Sequence, residues 1–142
     1  MVLKVIGTLA AVLFVVACGE GTSAEKSPLC SPDYQAGELT VTRENPVGST
    51  QEPPPTRTTT DAETIRKVAR AVCDLPSPPS DQQCTADLGP IFVLRFLDTS
   101  GKPIVVRAEA FSCRHVSGLD VQRQAQPALW RALTAAGLPS AG

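Results

Sequence analysis

Aromatic residues are scarce in this chain of 142 residues: four Phe, one Trp and one Tyr, 4% in all. A core with so few rings must be filled mostly by Val, Leu, Ile and Ala, which bury less area per residue. Histidine occurs once, at His115, so no metal site can be built on paired imidazoles. No two cysteines stand at C-x-x-C spacing, and no phosphate loop, dinucleotide fingerprint, EF-hand loop or G-x-S-x-G elbow appears. Charge of one sign is also missing. Thirteen basic and fourteen acidic residues leave a net charge of -1, which gives no reason to expect a nucleic-acid partner.

The apolar run at the amino terminus, VIGTLAAVLFVVA after a basic MVLK, is short of the roughly 20 residues that cross a bilayer as a helix. A short basic start, an uncharged apolar stretch and small residues at its end form the pattern of an export signal. Val15-Val16-Ala17-Cys18 resembles the lipobox of bacterial lipoproteins, with Val15 where Leu is commonest. That resemblance implies diacylglyceryl attachment to the Cys18 sulfur, cleavage after Ala17 and acylation of the new amino group. Two or three acyl chains anchor stably where a single one holds only marginally. Residues 1–17 are then a signal peptide, and 18–29, small and polar, a flexible tether. Residues 30–142 form a single domain.

Setting Cys18 aside leaves Cys30, Cys73, Cys84 and Cys113, an even number in a chain bound for an oxidising compartment. Four cysteines allow three connectivities. Segments 91–97 and 104–111 are β-branched and aromatic runs separated by Asp98-Thr99-Ser100-Gly101, which reads as a hairpin. With Asp98 facing Gly101, Cys113 lies opposite Ala86, two positions from Cys84. A Cys84–Cys113 bridge would close the open end of the hairpin, and by elimination Cys30 pairs with Cys73.

Gly37 to Arg43 alternates Leu39 and Val41 with polar neighbours, the period of a half-buried strand. A polar, proline-rich loop follows over 45–59. Thr60-Asp61-Ala62-Glu63 has the spacing of a capping box with Thr60 as the cap. Ile65, Val68, Ala69 and Val72 then form a helical stripe, with Arg66, Lys67 and Arg70 off it. After the hairpin, 114–118 reads as either an edge strand or a turn. A last helix starts at Gln126-Pro127, carries Leu129, Trp130, Leu133 and Ala136 on one face, and stops at Gly137. The order strand, helix, strand, strand, optional strand, helix predicts an α+β fold: a small antiparallel sheet with helices on one face and two disulfides. The stretch from Cys84 to Val116 is similar to a domain of small lipoproteins from actinobacteria and other high-GC bacteria, which implies location and fold but no reaction.

Chemistry is thin. Ser112 and Ser117 flank His115, and a strand would put Ser117 and His115 on one face. Arg107 and Glu109 share a strand face near Phe111, and Arg95 sits inside an apolar run, so Arg95 and Arg107 are the candidate ligand-binding residues. No catalytic residue, metal ligand or cofactor is expected. The sequence points to a lipid-anchored binding or envelope-structural module on the outer face of the cell membrane. Its partners are the membrane itself, through acyl chains on Cys18, and an envelope protein or small ligand. The alternative is an inhibitor or regulator of a secreted hydrolase that acts through the proline-rich loop.

Overall fold

The computed structural model describes residues 26–52 and 55–142. The apolar run and Cys18 lie outside the described residues. The chain runs through a 3-10 turn (Pro28–Cys30), β1 (Ala36–Glu44), β2 (Arg57–Thr59), α1 (Ala62–Cys73), β3 (Ile91–Asp98), β4 (Pro103–Glu109), β5 (His115–Ser117), β6 (Arg123–Gln124) and α2 (Pro127–Ala135). The six strands form one antiparallel sheet in the order β2-β1-β3-β4-β5-β6, so the α+β class is as expected.

Alternation along the strands decides which face is covered. Leu39 and Val41 of β1, Phe92, Leu94 and Phe96 of β3, and Val106 and Ala108 of β4 point inward and are buried. Against them α1 lays Ile65, Val68, Ala69 and Val72, and α2 lays Leu129 and Leu133. Each of the Val, Leu, Ile and Phe side chains among them contributes roughly 1.5–3 kcal/mol by leaving water, and the alanines less, which is how an aromatic-poor chain assembles a core. Trp130, on the apolar face of the last helix, is only partly buried and packs its ring 5.2 Å from that of Phe92.

Four expectations shift by a residue or a segment. The hairpin register pairs Phe96 with Ile104 and Leu94 with Val106, one residue away from the register that Asp98 facing Gly101 would set. The cause is the turn. Gly101 adopts a positive φ of 83°, making a three-residue loop, and Asp98 pairs with Lys102 instead. The Asp98 carboxylate accepts from the Ser100 hydroxyl and from the Lys102 and Ser100 amides, which holds its carboxyl below the usual range.

The α1 cap is Asp61, whose carboxylate accepts from the Thr64 amide at 2.7 Å; Thr60 stands one residue too early. Glu63 pairs with Lys67 one turn on, instead of reaching back. The proline-rich loop ends in β2, since Arg57-Thr58-Thr59 pairs with Leu39–Val41. Finally, Ser27 and Leu29, placed at the end of a flexible tether, are buried, so the packed domain begins a turn before Cys30.

Candidate functional site

Among the described residues no helix covers the second face of the sheet. By the same alternation it presents Thr40 and Thr42 of β1, Val93 and Arg95 of β3, Val105 and Arg107 of β4, and Ser117 of β5. Cross-strand threonine hydroxyls pair at 2.9 Å (Thr40 with Thr58) and 3.0 Å (Thr42 with Thr56), knitting the β2 edge to β1. Val105 is 43% exposed there.

Arg95 and Arg107, the two arginines picked out by sequence, both lie on this open face and are exposed. Arg107 reaches across β3 to the Glu44 carboxylate at 2.7 Å. With both side chains nearly half exposed, the pair contributes little. Glu109 accepts from the His115 backbone amide at 3.3 Å. Neither arginine lines any of the three pockets described below.

Around His115 the chain makes an irregular turn. Ser112 (φ 56°) and Arg114 (φ 53°) flank Cys113 in the left-handed region, which costs a non-glycine residue about 1–2 kcal/mol. The turn is over-determined by its surroundings. Ser112 Oγ donates to the Thr85 carbonyl at 2.7 Å, the Gln82 and Gln124 amides donate to the Cys113 carbonyl at 3.2 and 3.5 Å, and Ala125 N donates to the Arg114 carbonyl. The Cys84–Cys113 disulfide closes it. Ser112 is therefore occupied with backbone. Although Ser117 shares a strand with His115, no hydroxyl-imidazole hydrogen bond joins them. His115 and the two sulfurs offer ligand atoms within 4.8 Å of one another, but a disulfide supplies no thiolate, so the oxidised cluster cannot hold zinc.

The Cys30–Cys73 disulfide ties the first turn to the end of α1. Beside it lies a pocket of about 340 Å³ lined by Leu29, Tyr34, Arg66, Arg70 and Asp74. Tyr34 donates from its hydroxyl to the Leu97 carbonyl at 3.2 Å; burial, and then the nearby Asp98 charge, push its phenol up. A second pocket, about 210 Å³, lies between Leu88, Ile91, Glu109 and Phe111. A Cβ at Gly89 would overlap the Phe111 ring, so glycine there lets the ring lie against the backbone.

A third pocket, about 310 Å³, opens on the helix side between the β1–β2 edge and the end of α2, lined by Arg43, Pro55, Arg57, Leu138, Pro139 and Ser140. Sequence reading passed over both of its arginines. The signal was there: by strand parity Arg43 follows Leu39 and Val41 on the inward face.

No protein-family model, curated protein or solved structure matches this chain. No helix of the described residues is long and apolar enough to cross a membrane.

Proposed function

We propose that this chain is a lipid-anchored binding module on the extracytoplasmic face of the cell membrane, working without catalysis. The observation that carries the reading is a cysteine account. Cys30, Cys73, Cys84 and Cys113 are all consumed in two bridges within one domain. Cys18 remains as the odd cysteine, placed directly after an apolar run and a small residue. Disulfide pairing suits a compartment beyond the cytoplasm, and a cysteine at a lipobox-like site suits thioether lipidation.

Binding in place of catalysis is supported by the commitments of the polar groups. The Ser112 hydroxyl is spent on a backbone carbonyl, and no hydrogen bond joins the Ser117 hydroxyl to the His115 imidazole. What remains unoccupied is surface: the uncovered sheet face and the pockets at the domain's edges. Metabolic labelling with palmitate tests the anchor. Wild type takes up label and Cys18→Ala does not; equal labelling of the two overturns the reading.

A further inference from the structure

Arg43 and Arg57 meet at the third pocket from neighbouring strands. Val41 pairs with Arg57, so Arg43 is its diagonal neighbour on the same face of the sheet. Diagonal partners lie about 7–8 Å apart, within reach of long side chains, and like charges so placed repel. No carboxylate among the described residues lines the pocket. Among the described residues neither arginine has an acidic partner, whereas Arg107 is paired with Glu44 and Arg123 with Asp120. The Arg43 Nε is buried and has no acceptor among the described residues.

Among the described residues no hydrogen bond joins either guanidinium to a carbonyl at the end of α2, where those of Ala132, Leu133 and Thr134 accept from the Ala136, Gly137 and Leu138 amides. Two converging cations, one with a buried unsatisfied donor, therefore face a space with a polar hydroxyl, Ser140, and an apolar rim of Pro55, Leu138 and Pro139. The Ser140 hydroxyl is shared with Thr134 at 2.8 Å and keeps capacity for a further bond.

We infer that this pocket binds a small organic anion, its phosphate or carboxylate group held by Arg43 and Arg57 and its apolar part resting on Pro55, Leu138 and Pro139. Guanidinium groups suit either oxyanion because their fixed fork matches both geometries. A volume of about 310 Å³ is at the small end of ligand sites, enough for a single ring or short chain beside the anionic group. The assignment deepens the binding-module reading and rests on it.

The test titrates the full chain, nitrogen-15 labelled and in nonionic detergent, with phenyl phosphate, benzoate or phenol while following the Arg43 Nε–H and the amides of Arg57, Leu138 and Ser140. Saturable shifts with either anion and none with phenol are expected, and the tighter anion identifies the headgroup chemistry. Arg57→Gln, on an exposed edge strand, should weaken binding about tenfold or more, with Arg57→Lys intermediate. Arg43→Gln should do the same wherever its β3–β4 amides keep their wild-type positions. Absence of saturation with both anions, an equal response to phenol, or unchanged affinity in Arg57→Gln overturns the site. A chain that takes up palmitate yet ignores both anions keeps the tethered module and loses only this pocket.

Discussion

The Cys30–Cys73 bridge joins a turn whose Leu29 is buried to a helix with four buried apolar residues, whereas Cys84–Cys113 joins a segment with no helix or strand, 75–90, to a turn with two left-handed non-glycine residues. Around the first bridge the chain is already held by an apolar stripe and a β ladder. Around the second it is held by side-chain hydrogen bonds from Gln82, Ser112, Arg123 and Gln124 to backbone carbonyls. Similar covalent links thus serve different ends: one reinforces packing that exists without it, the other substitutes for packing that the segment lacks.

Removing each bridge breaks the comparison most sharply. The closed loops span 43 and 29 residues, so each pair of Cys→Ser changes should cost about 3–4 kcal/mol through the unfolded chain, with almost no difference between them. The local response should differ. Hydrogen exchange in Cys84→Ser/Cys113→Ser should lose protection across 110–125 while α1 stays protected; in Cys30→Ser/Cys73→Ser, α1 should still be protected through Ile65, Val68 and Val72. Equal loss of α1 protection in both variants would contradict the distinction.

Gly118→Ala comes next. Gly118 has a φ of 97°, and a Cβ there would run into the Val105 carbonyl oxygen, part of the backbone. A cost of about 2–3 kcal/mol in urea unfolding is expected, from backbone strain and the displacement of β5 from β4. The smallest effect is Asp61→Ala, in the well-packed half. Hydrogen bonds from Thr64 hold the Asp61 carboxyl below its ordinary value. A depressed folded pKa means the stability it lends is present above its unfolded value, near pH 4, and is lost as pH falls through the folded value. The gap between wild type and Asp61→Ala in thermal melts should therefore be widest near neutral pH and close below about pH 4. A gap independent of pH would remove the carboxylate from the account.

The same contrast explains what was legible in sequence. The α1 stripe, the β3–β4 hairpin and the α2 stop at Gly137 were readable because periodicity and turn residues report them directly. The register was missed by one because Gly101 closes a three-residue loop, a choice made by one backbone angle. The β2 strand was hidden since three polar residues become a strand only when the β1 edge is there to pair with them. The turn around Cys113 was legible only in its disulfide: its partners Gln82, Thr85 and Gln124 are distant in sequence and supply hydrogen bonds, not a pattern. Of the candidate ligand residues, Arg95 stood out inside an apolar run and Arg107 beside Glu109 on one strand face, and both fall on the open face. Arg43 stood at an inward position of an amphipathic strand, where a charge is costlier and therefore more informative.

The anchor and both bridges are tested together by the intact mass of the protein recovered from the membrane fraction, alkylated without reduction. The expectation is a chain beginning at Cys18, heavier by its diacylglyceryl and acyl groups, with no alkylated cysteine. A chain beginning at Met1 with a free, alkylated Cys18, or one in which any of the other four cysteines takes up the reagent, would contradict it.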